Sequence, residues 1–600
     1  MRLPTLLMIV ILGCGGNDDG DGLYDRIEVE PAQATLTIAI GGTATQTYQV
    51  FGVRGGTRTE ITDRCAMSIE PAFGTTSAAT VTVNGRGGKT TVNALCPSGQ
   101  GTAQLIILLT GDIIVDPAPP NAGEVFDTAT PGTDPARMPA ILYPLDKAVS
   151  PLNIPSIDTQ WTAAGNDLFH VMLRSSFLEV DVYTTAVDAM LPAAQWDVIA
   201  NTAAGDSLSI TVEGVLTADP ATKYSGPAIS IAMSKDIIDR TAIYWWASSA
   251  GSIMTQVFGE VTQPNLVKDG CTSCHSLSRT GTRLGYSRCV GGDCGQLFAG
   301  FLKFDGTTKQ WGEAVNADNK VIKGSYTTFS PVGNPFPTDD QSLSIVSMSN
   351  GTLGLYDPDT GSAVASNIAV ANTPPSTSAL MADWSADGTK VVYASTPNAG
   401  QWIDLSDSRI AMMSYSFTAG AHTFGTPTML VANPITLPTG TYNNFFFPSF
   451  SNDGALVVFN AARSAWRNGS DARLPGQRLM LADTAGSFVV DLAAMNGGND
   501  LDITWAHWAP ADSNDYYWIV FSSERDYGHK LTLGNTNPGC IANGVRQCKQ
   551  IWIGAVAKNK LTGATTMDPS AAPMWLPGQD IRANNISPFW TVPANVQLSR

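Results

Sequence analysis

Charge is scarce in this chain, and positive charge scarcer still. Asp, Glu, Lys and Arg make up 14% of the 600 residues, against about 25% in an ordinary globular domain. Lys and Arg number 35 against 52 Asp and Glu, a formal net charge of −17. So acidic a balance speaks against nucleic acid or an anionic bilayer surface as partners, because binding there needs a basic face. Apolar runs are short. None reaches the ~20 residues that span a bilayer, which excludes an integral helical membrane protein. Amphipathic helical blocks are missing, as are a G-x-S-x-G nucleophile elbow, a phosphate-binding glycine loop and an H-E-x-x-H zinc helix. What is present is 43% apolar residues, 57 Gly and 36 Pro. That supplies real cores, excludes disorder and suits an exported, turn-rich all-β protein of about four domains.

The N-terminus reads as an address. Met1-Arg2 precedes an apolar run, Leu3 to Leu12, of signal-peptide length. It ends Ile11-Leu12-Gly13-Cys14, which resembles a bacterial lipobox, with cleavage before Cys14 and a lipid on that cysteine. Residues 1–22 are then signal and tether, the Gly-rich acidic stretch Gly15 to Gly22 being flexible. The resemblance implies a location at the cell envelope, on the periplasmic face or surface of the outer membrane. The lipid would be the sole membrane contact, and disulfides persist in that compartment.

Nine cysteines are present. With Cys14 assigned to lipid, eight remain. Cys65 and Cys96 share one N-terminal segment, Cys289 and Cys294 bracket VGGD, and Cys540 and Cys548 bracket IANGVRQ, so three local disulfides are expected. The last two stand in the run CTSCH, Cys271 to His275, which is the C-x-x-C-H pattern of haem c attachment. Cys271 and Cys274 would form thioethers with the haem vinyls, and His275 would be the proximal iron ligand. The competing reading is a structural or reactive Cys271–Cys274 pair beside an incidental histidine.

Residues 23–115 alternate apolar and polar in short runs between Gly and Pro turns, the pattern of a β-sandwich. Val29-Glu30-Pro31, the segment Gly42 to Gln46 and the strand Gly101 to Ile107 resemble a bacterial immunoglobulin-like (Big) domain. Residues 116–137, rich in Pro and acid, read as a linker. Residues 138–262 read as a second β-sandwich with one short helix, Leu191 to Thr202. Its opening ILYPLDKAVSP and the strand Tyr244-Trp245-Trp246 resemble fibronectin-type modules. His170 lies on a strand there and reads as a structural histidine.

Residues 263–600 repeat internally. LSRTGTRLGYS (277–287), WSADGTKVVYAS (384–395) and FSNDGALVVFNA (450–461) share an aromatic or Leu, a Ser, a polar turn ending in Gly and an apolar strand. Degenerate copies begin at Phe329 and Trp508, and Ser587 to Trp590 fits a sixth. A spacing of about 50–80 residues suits four-stranded propeller blades with loop insertions. These repeats resemble the TolB-type β-propeller repeat, and six blades are expected. Asp387-Gly388 and Asp453-Gly454 supply the positive φ that a tight hairpin needs. The Asp-bearing turns, including Asp357-Pro358-Asp359, read as turn chemistry in preference to calcium sites.

Aligning the copies sets Leu277 at the place of Trp384 and Phe450, hence His275 at that of Ala382 and Pro448. The haem motif then enters the first blade at one mouth of the channel, between the propeller face and the second sandwich, with no separate helical cytochrome domain. This arrangement is similar to bacterial proteins that combine a haem c site with a TolB-like propeller. His507 precedes Trp508 by one residue and sits at nearly the equivalent place. It is a candidate second ligand to the iron, or else faces a neighbouring blade and bonds a backbone carbonyl; Met348 and Met381 compete with it. The expected protein is an exported lipoprotein with one covalent haem c, serving electron transfer or redox chemistry with an unknown envelope partner. The alternative is a propeller and Ig-like binding or scaffold lipoprotein without a redox role.

Overall fold

A computed structural model describes residues 24–592, apart from 239–240, 261, 271, 291–295, 334, 339–340, 373–377, 398–404, 464–476, 498–500, 511–512, 543–544 and 562–566. Cys14, Cys271 and Cys294 therefore lie outside the described residues. The chain forms two compact units, Met1–Gly111 with Ser176–Val180, and Asp112–Ser175 with Asp181–Arg600.

In the first unit the period-2 pattern becomes strands with alternating burial, clearest in Gly88–Cys96, where inward residues are buried and outward ones exposed. That strand lies between Ala66–Ser68 and Gly99–Ile114, and Gln33–Ala39 adds to Gly99–Ile114 in parallel. Two further three-stranded sheets complete the unit. Val50, Val81, Val83, Val92, Leu105 and Ile107 are buried in its core. A disulfide joins Cys65 to Cys96.

The second unit opens with a β-domain. Leu168–Ser175 pairs antiparallel with Ser207–Leu216, which pairs in turn with Ile229–Met233. The segment expected to be a linker is built into this domain. Its Pro and acidic residues mark turns, but Ala122, Phe126 and Ala129 point inward from the helix Ala122–Thr128 and its end, packing with Leu168, Tyr183 and Val215. The helix read near Leu191 is Ala193–Ala203, pinned by Trp196 Nε1 donating to the Ile154 carbonyl at 3.1 Å.

The rest of this unit is a six-bladed propeller. Blade two holds Thr272–Leu277, Arg283–Cys289, Leu297–Asp305 and Gln310–Val315; blade three holds Gly324–Phe329, Ser344–Met348 and Leu353–Tyr356. Blades four, five and six begin with Ser378–Trp384, Asn444–Phe450 and Thr504–Trp508. Blade one corrects the sequence reading. Ala242–Ala247, assigned from sequence to the second sandwich, pairs with Ser252–Val257 on one side and with the C-terminal strand Asn585–Thr591 on the other. The last strand thus becomes the innermost strand of the first blade, and CTSCH enters blade two. Each innermost strand packs against the next, and the one from Asn585–Thr591 touches both Thr272–Leu277 and Thr504–Trp508, closing the ring.

The repeated turn has one construction in two blades. Ser385 Oγ donates to Asp387 at 2.6 Å, Asp387 accepts from Thr389 N, and Lys390 N donates to Ser385 Oγ; Ser451, Asp453, Ala455 and Leu456 do the same. Gly388 and Gly454 take φ of +71° and +69°, values a side chain rarely adopts. Among the described residues no helix is long and apolar enough to cross a membrane.

Candidate functional site

Every innermost strand carries the same irregularity. The ladder to the second strand slips within each one: between Ser273 and Ser276, Ser325 and Thr327, Leu380 and Asp383, Phe446 and Ser449, Thr504 and His507, and opposite Tyr244 and Trp246. At each slip one non-glycine residue is left-handed: Cys274, Tyr326, Met381, Phe447, Trp505 and Ser587, with φ from +35° to +56°. A bulge re-aims the side chain it carries. Left-handed φ costs about 1–2 kcal/mol per residue, so the packing of the ring must offset that strain six times. All six line one cavity on the propeller axis. Tyr326 meets Phe447 edge-on at 5.7 Å, and Phe447 lies 5.2 Å from Trp505. With Met381, Leu297 and Leu405 they make an apolar cluster in which half-buried Cys274 sits.

In blades two and three the residue after the left-handed one also packs toward the neighbouring blade. Thr327 packs on Gly285 of blade two and meets Ser276 Oγ at 2.6 Å. His275 is the equivalent residue of blade two, buried near the Tyr244 backbone of blade one. Among the described residues, neither of its ring nitrogens has a hydrogen-bond partner. Burial first, and the neighbouring His507 second, push its pKa down to about 3, while the Tyr244 backbone opposes them weakly. The imidazole is therefore neutral at any physiological pH. A thiol-bearing residue and a neutral, uncommitted imidazole beside an apolar cluster suit the attachment of a haem c. The enclosed space does not suit the whole group. The cavity that Cys274 and His275 line holds about 50 Å³, whereas cofactor pockets hold about 300–1,000 Å³. The channel interior cannot enclose the macrocycle.

His507 is two residues past its left-handed neighbour, so it matches Ser276 and not His275. Its Nδ1 bonds the Pro588 carbonyl of the closing strand at 2.8 Å, and its ring lies 4.5 Å from Phe589. Burial lowers its pKa, against the pull of Asp383. It lines both the cavity at Cys274 and a second one of about 40 Å³ further along the axis. Sequence reasoning missed the charged groups between them. Asp383 accepts from Phe450 N at 2.7 Å, and Arg279 donates from Nη2 to the Trp384 carbonyl at 2.9 Å. Asp383 precedes Trp384 where Ser276 and Ser449 stand in their copies, so repeat alignment held that signal.

A disulfide joins Cys540 to Cys548, and Cys289 is disulfide-bonded. His170 lies between carboxylates, Nε2 to Asp181 at 2.6 Å and Nδ1 to Glu213 at 3.4 Å. His422 Nδ1 meets Tyr415 Oη at 2.8 Å. Among the described residues, no group of three His, Cys, Asp or Glu side chains is arranged to hold a metal ion.

No protein-family model matches the chain, and no curated protein matches it. Similar solved structures include TolB from Acinetobacter baumannii, at 16% identity and TM-score 0.27, covering 53% of this chain and 62% of TolB. The β-propeller domain of the Trilobed protease from Pyrococcus furiosus is 7% identical with TM-score 0.26, covering 58% of this chain and 78% of that one. The chain thus spans about three fifths of TolB's length. Scores of this size add nothing to the strand pairing, from which the propeller is read.

Proposed function

We infer that the chain is an exported, lipid-anchored propeller carrying one haem c covalently at Cys271 and Cys274, with His275 as its imidazole. Its role would be electron transfer or redox chemistry at the cell envelope, with an envelope protein as partner. One observation carries the reading: a buried imidazole, next in sequence to Cys274, whose two nitrogens have no hydrogen-bond partner among the described residues. Leaving such a group unmet costs about 1–3 kcal/mol, and ligation would remove that cost at one nitrogen. When bound, haem supplies one-electron chemistry. The chain's own part would be to hold the group through Cys274, fixed at its bulge, and to exclude water there with Met381, Phe447 and Trp505. His507, its Nδ1 committed to Pro588, is placed to tune that site without leaving its strand. The lipid on Cys14 would be the anchor. The small cavity favours a second reading, a propeller that binds or scaffolds without haem.

The test is expression with a haem c maturation system. The expected result is one added haem by intact mass, mapped to the peptide holding Cys271 and Cys274, with a pyridine haemochrome spectrum. A bare-chain mass would leave the scaffold reading. In loaded protein, His507→Ala should shift the spectrum or midpoint potential; no change in either, or in carbon monoxide binding, would remove His507 from the site.

A further inference from the structure

An apolar hollow with buried polar groups in its wall lies between the second β-domain and blade six. It holds about 330 Å³, inside the range of about 300–1,000 Å³ usual for small-molecule sites. Ile154, Ile157, Met190, Met574, Pro577 and Ile581 give it apolar walls. Met190 stands at its edge, 62% exposed. Tyr143, Tyr527 and Trp575 give it an aromatic side, Trp575 stacked on Tyr527 at 4.0 Å.

Its charged end is already satisfied. Lys530 Nζ donates to both Asp158 oxygens at 2.8 and 2.7 Å and to Asp188 at 2.8 Å. Asp158 also accepts from Tyr527 Oη at 2.7 Å and Gln160 Nε2 at 3.2 Å. These ions bond one another, and the one cation, Lys530, is already committed to two carboxylates, so the end offers no free positive charge to an anionic ligand. Two lining groups are left over. The Trp575 indole N–H and the Ser156 hydroxyl have no hydrogen-bond partner among the described residues, and their residues are 7% and 8% exposed. A donor buried without an acceptor is costly in an apolar wall. An apolar ligand bearing one neutral oxygen acceptor would satisfy one of these donors.

We propose that this hollow binds a small, uncharged, mainly apolar carbonyl compound, whose oxygen accepts from Trp575 Nε1 or Ser156 Oγ. The site is independent of the haem. The carbonyl is either that of a free molecule or that of a lipid acyl ester.

The experiment uses the full chain and two soluble probes of similar size, acetophenone and ethylbenzene, followed by ligand-observed NMR. Acetophenone should bind more tightly than ethylbenzene. Trp575→Phe keeps the ring and removes the donor, so it should weaken acetophenone roughly three- to tenfold and leave ethylbenzene unchanged. Ser156→Ala gives a second measure should Trp575→Phe fail to fold. Ile157→Trp, which fills the hollow, should abolish both. Equal binding of the two probes by the wild type, or acetophenone binding unmoved by both donor variants, overturns the proposal. So does saturation of neither probe. Displacement of acetophenone by phosphatidylcholine vesicles assigns the carbonyl to a lipid ester, and its persistence assigns it to a free molecule.

Discussion

Closure of the ring by the last strand puts a large stability load on Trp590. This side chain is 2% exposed, lies 5.0 Å from the Phe258 ring, and donates from Nε1 to Thr241 Oγ1 at 2.9 Å. It packs in one core with Trp245, Trp518 and Ile553, so it joins the first and last blades. Trp590→Ala leaves a cavity worth about 3–5 kcal/mol, and stranding the Thr241 hydroxyl adds about 1 kcal/mol. Trp590→Phe keeps most of the packing and loses the bond, at about 1–2 kcal/mol. Urea denaturation followed by far-UV circular dichroism measures both. Truncation before Asn585 removes the whole strand and should give a partly unfolded, protease-sensitive second unit. The reasoning fails if Trp590→Ala costs under about 1 kcal/mol, if it equals Trp590→Phe, or if the truncated chain melts like the parent.

Removing the Cys65–Cys96 disulfide with a double alanine variant should cost about 3–4 kcal/mol, from loop entropy over a separation of 31 residues; a midpoint equal to that of the oxidised parent counts against it. Lys530→Met strands Asp158 and should lower stability by about 2–4 kcal/mol, discounted for the half-exposed lysine. Asp158→Asn in the same chain should recover part of that loss, and strict additivity in the cycle would show that the pair is uncoupled. At His170, burial lowers the pKa but Asp181 and Glu213 outweigh it, so the net shift is upward. Arg174 and Lys223 pair with those carboxylates, and Tyr183 and Phe126 cover the ring. A raised pKa means stability present below the unfolded value of about 6.5 and lost as pH rises through the folded one; a His170→Gln variant whose stability keeps the same fall with rising pH sinks the assignment. Ser587→Gly relieves a φ of +53° and should be neutral or stabilise by up to about 1 kcal/mol, whereas Ser587→Val should destabilise by at least as much, and thermal melts in the opposite order refute the strain.

The propeller was legible because its repeats are local. A Ser, a polar turn and a Gly at fixed offsets encode Ser385–Asp387–Gly388 and Ser451–Asp453–Gly454 within a few residues. The first blade was not legible, because Ala242–Ala247 finds its partner more than 300 positions away at Asn585–Thr591, and nothing in Tyr244-Trp245-Trp246 distinguishes a sandwich strand from a blade strand. The helix at Phe126 was hidden for a different reason: its composition is set by its exposed ends, and only the spacing of Ala122, Phe126 and Ala129 reports its buried side. The hollow beside Trp575 draws on segments near 155, 190, 527 and 577 that no local pattern connects.

The bulges bear most directly on the channel mouth. Cys, Tyr, Met, Phe, Trp and Ser share no chemistry and no intrinsic liking for positive φ, so no residue preference produces the six left-handed positions; the geometry of six innermost strands converging on one axis does. That geometry places the parts of CTSCH. It directs Cys274 with Tyr326, Phe447 and Trp505 toward the axis, while His275 lines the same cavity and lies near the Tyr244 backbone of blade one. It also shifts His507 one place along its strand relative to His275, and both imidazoles line the cavity at Cys274. Tyr326, Phe447 and Trp505, aromatic residues of three other blades, line that cavity with Cys274.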